Sequence, residues 1–361
     1  MDDRQSVWVG SGSGAVLRWA RAMGLVVDEG EERRLAAMRL EVLAEGALPQ
    51  ARAQVVALTA RWAVFICLVD DLIDRCGLGL VPGEVEEFTA PMRAALAADS
   101  GPLPVAAAPH AAVLRELLEH TAEGMSARWR ERFTADYTDF LDATEEEVAL
   151  RRNGVRLSLE PYVWLRRRTI TLLPLLDVLE RTGNASLVEC PQTSARLCEL
   201  RWALADIAGR TNDLASTADD AAAGQDNLMT VLARQDGCSL AVARARAAAM
   251  ITERRSDFRT AAAALRTAQD VPPERQEDVC RYVDLTQTQC VSEGLGTAFL
   301  AAAVDAVGSE GGRTQRLDHR GQCLVRQRVA HGEPLPRPVS PGVDHDRLFR
   351  AATPCDRLVT A

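Results

Sequence analysis

Apolar residues recur along this chain at the spacing of a helix, and strand-like alternation is absent. Trp62, Phe65, Ile66, Val69 and Ile73 fall at i, i+3, i+4, i+7 and i+11, one stripe of a helix expected from near Pro49 to about Gly77. Further helices are expected over about 31–46, 84–98, 110–123, 126–151, 159–181, 193–221, 226–234, 239–267 and 274–304, parted by breaks such as Pro102, Pro104 and Pro109. The fold class that follows is all-α. With 361 residues, 47% of them hydrophobic, the chain can bury a large core. Its motif-bearing helices are apolar on more than one side, as the inner members of a bundle are.

Two clusters on those helices carry chemistry. In Asp70-Asp71-Leu72-Ile73-Asp74, the carboxylates of Asp70 and Asp74 stand one helical turn apart; in the stretch from Asn212 to Asp220, Asn212, Ser216 and Asp220 do the same. Asp70 and Asp74 border the apolar stripe, a costly place for carboxylates unless cations are present. Hard oxygen donors of this kind suit Mg²⁺, which completes its shell with water and phosphate oxygens. Two such stripes facing each other would hold a diphosphate between metal ions. An Asp-Asp-x-x-Asp run in an acidic chain also occurs as a solvated helix end. The Asn and Ser of the second cluster are sharper, because both cost helix propensity in mid-helix.

Between the clusters, Glu160, Pro161, Tyr162 and Trp164 lead into Arg166-Arg167-Arg168-Thr169 and then an apolar run. Side chains successive on a helix point about 100° apart, so one or two of these Arg are expected to face inward. A phosphate is the natural partner of an inward guanidinium fork. The alternative is Arg paired to acids of a neighbouring helix.

All 42 basic residues are Arg, against 51 acidic ones, for a net charge of -9. That balance argues against nucleic acid or an anionic membrane as partner, and the lack of Lys excludes Schiff-base and P-loop lysines. The start at Met1-Asp2-Asp3 has no basic or long apolar leader, and no segment is expected to reach the roughly 20 apolar residues of a membrane span. A cytoplasmic protein without stable membrane insertion is therefore expected. The nine Cys are scattered without a Cys-x-x-Cys pair, and reduced, mostly buried thiols are expected.

The order of Trp62 to Asp74 with Gly77-Leu78-Gly79, then Glu147 to Thr169, then Asn212 to Leu228, resembles the bacterial class I terpene synthases, or terpene cyclases. The likeness covers roughly residues 15–235 and, more weakly, runs to about 290. It implies a single-domain helical bundle around a central apolar cavity, spanning residues 15–307; residues 1–14 are expected to be flexible, and the Gly, Arg, Pro and His composition after about Gly308 makes 308–361 an expected poorly ordered tail. It implies Asp70, Asp74, Asn212, Ser216 and Asp220 as metal ligands with Asp71 beside them, and Mg²⁺, three ions in all, as cofactor. Arg166, 46 residues before Asn212, stands where the family keeps its diphosphate-sensing Arg, and Thr169 and Ile170 stand at its linker and effector positions. The implied partner is a linear isoprenyl diphosphate, farnesyl or geranylgeranyl, and a homodimer is compatible with the family.

The implied reaction is ionisation of that diphosphate to an allylic cation, which cyclises in a dry cavity. Trp62, Phe65 and Trp202 are candidates for stabilising the cation through their ring faces, with ordinary core packing as the competing role. The runner-up activity is a trans-prenyltransferase, against which the Asn and Ser of the second cluster speak; a third reading is a degenerate, non-catalytic helical protein that binds prenyl diphosphate. The chain departs from the family pattern in three places. Asp220 stands where Glu is usual, Asp219 where a basic residue is common, and the late Trp and Arg-Tyr pair expected near residues 297–304 are missing. Arg281-Tyr282 comes too early and is assigned to a preceding helix body.

Overall fold

A computed structural model describes residues 14–26, 28–48, 51–74, 83–97, 109–183, 185, 187, 194–269 and 271–291. Every regular element among them is a helix: α1 (Ala15–Ala22), α2 (Glu29–Met38), α3 (Leu40–Ala47), α4 (Ala53–Asp74), α5 (Glu84–Leu96), α6 (Pro109–Ala122), α7 (Ala127–Arg152), α8 (Leu159–Thr169), α9 (Leu172–Thr182), α10 (Ser194–Ala223), α11 (Leu228–Asp236), α12 (Leu240–Arg266) and α13 (Pro273–Val291). The expected 1–14 and 308–361 termini, Gly77-Leu78-Gly79 and the region of the missing Arg-Tyr pair lie outside the described residues, apart from Gly14. Arg281 and Tyr282 do belong to a helix body, α13, where Arg281 pairs with Glu277 and Tyr282 is buried.

Two expected helices are each divided. The 31–46 segment breaks at Arg39, whose φ of 50° is left-handed. Leu40 lies about 200° round a straight helix from Met38, so the break is what lets Leu35, Met38, Leu40 and Ala44 all enter the core. The 159–181 segment breaks at Thr171, φ 58°. Pro174 lacks the N–H that would bond Ile170 and its ring would strike that carbonyl, so a continuous helix fails here.

Helix α4 packs against α1, α3, α6 and α9, while α10 packs against α8, α9, α11, α12 and α13. Thus α9 touches both motif-bearing helices. The 18 residues Ala53–Asp70 have a mean hydropathy of 1.6, enough by length and composition to cross a membrane, contrary to the sequence expectation, but half of the stretch is buried inside the bundle. Aromatic rings spaced by four on α7 form the spine beside it: Trp129 and Phe133 stack at 5.4 Å, Phe133 meets Tyr137 at 5.8 Å, and Trp62 of α4 meets Phe133 at 5.4 Å.

A buried ionic cluster locks α9 between α7 and α10. Arg132 donates through Nε to Asp177 Oδ1 at 2.8 Å and also binds Glu180, while Arg201 donates to Asp136 at 2.6 Å and to the Leu173 carbonyl at 2.8 Å. Paired charges so placed are costly to break one at a time. The expectation of reduced thiols is met by Cys67, Cys238 and Cys280, but Cys198 is disulfide-bonded.

Candidate active site

The side chain of Arg166 leaves α8 and lies across α10. Its Nε donates to Asp213 Oδ1 at 2.9 Å, and one terminal nitrogen donates to Asn212 Oδ1. Gly209, one turn before Asp213, makes the crossing possible: a Cβ there would stand 3.2 Å from Arg166 Cγ. Glycine costs a helix interior about 1 kcal/mol relative to Ala, and close passage of this side chain is the reason to carry it. Burial alone would lower the pKa of Arg166, but Asp213, Tyr162, Glu147 and Asp220 more than offset it and raise it.

Asp213 is the centre of the arrangement. Its carboxylate accepts from Arg166, from the Tyr162 hydroxyl and from the Leu228 N–H at 3.1 Å. Burial foremost, and then the Asp213 charge, push the Tyr162 phenol well above its ordinary pKa, so it remains a neutral donor. The Asp213 carbonyl is also taken, by Asn227 Nδ2 at 2.8 Å and Thr217 Oγ1 at 2.7 Å. Only 2% of the Asp213 side chain is exposed, so it has no face left for a metal.

Asn212, Ser216 and Asp220 form the adjacent face. Ser216 Oγ lies 2.6 Å from Asp220 Oδ2, and that oxygen also accepts from Asn227 Nδ2 at 2.7 Å. Burial, above all, raises the Asp220 pKa, while Ser216, Asn227 and Arg166 pull it down. The group is therefore a desolvated acid whose neighbours do not fully offset its charge. An amide oxygen, a hydroxyl and such a carboxylate, one turn apart each, are the donor set a hard divalent cation fits. Among the described residues no three His, Cys, Asp or Glu side chains gather as a metal site, in keeping with a face that has one carboxylate.

The first cluster sits in the last turn of α4, with Asp70 exposed and Ile73 buried. The side chains of Asp71, Asp74 and Asp219 lie outside those described. The three consecutive Arg all find carboxylates on neighbouring helices, beyond the one or two expected inward. Arg167 grips Asp206 with two bonds of 2.8 Å, and Arg168 binds Asp139 and Glu146. The alternative of interhelical pairing thus holds for each, and only Arg166 pairs at the metal-type face. Thr169 and Ile170 end α8 at the break, both buried, and Thr169 Oγ1 has no hydrogen-bond partner.

Of the three aromatic candidates, Trp62 and Phe65 are fully enclosed by the protein and Trp202 is half-buried. Trp62 and Phe65 are 0% exposed; Trp62 donates Nε1 to Thr121 Oγ1 at 2.8 Å and packs edge-on against Phe65. The Arg167 guanidinium lies 4.9 Å from the centroid of Trp202, a cation–π contact within the protein. Core packing is the role the geometry gives Trp62 and Phe65.

Four participants were not singled out from sequence. Asp213 stood inside the motif, Tyr162 in the run before Arg166, and Gly209 was legible as a mid-helix glycine. Asn227 had a capping-box signal, since it caps α11 and exchanges bonds with Thr230.

The chain is similar to known proteins in sequence and in fold. Residues 61–257 match the family described as terpene synthase family 2, C-terminal metal binding. Pristinol synthase of Streptomyces pristinaespiralis is 31% identical over 74% of this chain and 73% of its own. The (-)-β-caryophyllene synthase of Saccharothrix espanaensis, described as (2E,6E)-farnesyl diphosphate cyclizing, is 29% identical over 76% of this chain and 74% of its own. The linalool/nerolidol synthase of Streptomyces clavuligerus, solved in complex with 2-fluorogeranyl diphosphate, superposes with a TM-score of 0.69 at 23% identity, over 80% of this chain and 96% of that one. At that identity the likeness concerns the fold.

Proposed function

Since the chain belongs to terpene synthase family 2 and is a metal-dependent terpene cyclase, we propose that it ionises and cyclises farnesyl diphosphate with Mg²⁺. The observation that carries this reading is the placement of Arg166 on Asn212 and Asp213, against the face formed by Asn212, Ser216 and Asp220. Substrate chain length is supported by the farnesyl-cyclising relative. The catalytic unit on this reading spans residues 15–307.

Asn212, Ser216 and Asp220 would hold metal on α10, and Asp70, with Asp71 and Asp74 beside it, would hold metal at the end of α4. When bound there, three Mg²⁺ ions would supply the charge that lets the allylic carbon–oxygen bond ionise. Arg166 adds a guanidinium whose charge is secured by Asp213, aimed at the leaving diphosphate. Thr169 and Ile170 place the helix break next to it. No protein nucleophile takes part. The apolar residues of α4, α9 and α10 keep water from the cation.

The test is incubation of the purified full chain with geranyl, farnesyl and geranylgeranyl diphosphates, with MgCl₂ or EDTA, followed by gas chromatography of hexane extracts. Cyclic hydrocarbons or alcohols from farnesyl diphosphate, lost with EDTA, are expected. Longer diphosphates, or no product from any of the three, would overturn the proposal.

A further inference from the structure

Asn212 offers one side-chain oxygen, and it accepts a hydrogen bond from Arg166. On the reading above, the same oxygen is a metal ligand, and a guanidinium and a divalent cation on one oxygen are like charges in a partly buried place. A cation held by Asn212 therefore favours the release of Arg166 from it. The released Arg166 is not set adrift, because Nε remains on Asp213 Oδ1 at 2.9 Å. Asp213 in turn is held by the Tyr162 hydroxyl and the Leu228 N–H, none of which a metal would displace.

We propose that Asp213 is a positioning residue: it pivots Arg166 on α10 while Asn212 passes its oxygen from Arg166 to the cation, so that filling the metal face and turning Arg166 toward the diphosphate are one event. This inference rests on the assignment of Asn212, Ser216 and Asp220 as the metal face. Three features of the chain serve the pivot. Gly209 clears the path of the Arg166 stem, with 3.2 Å left for a Cβ. Tyr162, one turn before Arg166 on α8, fixes the second Asp213 oxygen. Asn227 ties the Asp213 carbonyl to Asp220, joining the pivot to the far end of the metal face.

The experiment is calorimetric binding of inorganic pyrophosphate with MgCl₂ to the full chain and to five variants: Arg166→Ala, Asp213→Asn, the double variant of these two, Gly209→Ala and Asn212→Ala. Asp213→Asn is expected to weaken binding about 10-fold or more, the loss of one charge-assisted contact, and Arg166→Ala is expected to add nothing in that background. Gly209→Ala, whose Cβ would stand 3.2 Å from Arg166 Cγ, is expected to weaken binding while leaving helix content by circular dichroism unchanged. Multiplying effects of Arg166→Ala and Asp213→Asn, or unchanged binding by Gly209→Ala, would overturn the pivot. Should Asp213→Asn fail to fold, Tyr162→Phe with and without Arg166→Ala gives the same cycle. Failure of the underlying metal assignment looks different: Asn212→Ala would then bind magnesium pyrophosphate as the wild type does.

Discussion

The amide of Asn227 lies 2.7 Å from Oδ2 of Asp220, tying the first residue before α11 to the last oxygen donor of α10. A residue one methylene shorter than the family's usual Glu is thereby held at a fixed place by a neighbour 7 residues on. Replacing Asn227 by Ala removes this tie and also the cap of α11, whose side chain accepts from the Met229 N–H at 2.9 Å. A loss of about 1 kcal/mol in urea unfolding is expected, together with lower turnover. Unchanged turnover would show that Asp220 needs no such support.

Asp220→Glu restores the longer arm. Since Ser216 and Asn227 can follow a carboxylate moved by one methylene, turnover within about 10-fold of the wild type is expected. Complete loss of product in the gas-chromatographic assay would mean that the shorter arm is required by the geometry of the site.

Asn212→Ala and Asp70→Ala are each expected to reduce product formation by about 100-fold or more, with the far-ultraviolet circular dichroism unchanged. Wild-type turnover in both would remove the metal assignment.

The ionic cluster under α9 yields a pH prediction. Burial, opposed by Arg201 and assisted by Asp177, pushes Asp136 up to about 7. Asp177 Oδ2 is a buried acceptor with no donor, and a protonated Asp136 supplies one. The folded chain then binds this proton more tightly than the unfolded chain, whose Asp titrates near 4. The resulting stability is fully present below about pH 4 and is lost as pH rises through about 7. Urea unfolding at pH 5 and pH 8 should show this loss in the wild type and not in Asp136→Asn, a difference on the order of 2 kcal/mol. Parallel pH profiles for the two proteins would contradict it.

Arg132→Met leaves Glu180 without its cation, while Asp177 keeps Arg201 at 2.9 Å. Breaking one side of a buried pair costs about 3–5 kcal/mol, and a loss of that size in urea unfolding is expected. A loss under about 1 kcal/mol would mean that water reaches the cluster.

The sequence carried the helical class and the place of most helices because apolar period is a local signal: α4, α7 and α10 follow directly from it. Asn212, Ser216 and Asp220 were legible for the same reason, since one turn of a helix brings them together. Contacts between helices were not. The fates of Arg166, Arg167 and Arg168 depend on Asp213, Asp206 and Asp139, which lie 47, 39 and 29 residues away. Trp202 is a candidate by its position on a motif helix, and nothing local shows that Arg167 lies over its ring. The break at Thr171 had its cause in Pro174, but the left-handed turn was hidden in a β-branched residue that rarely adopts it.

The most direct measurement is a crystal structure of the full chain soaked with MgCl₂ and inorganic pyrophosphate. An ion on Asn212 Oδ1, Ser216 Oγ and Asp220, with Arg166 turned onto the pyrophosphate and its Nε still on Asp213, is the expected result. Ions seated elsewhere, or an Arg166 that never leaves Asn212, would contradict the account.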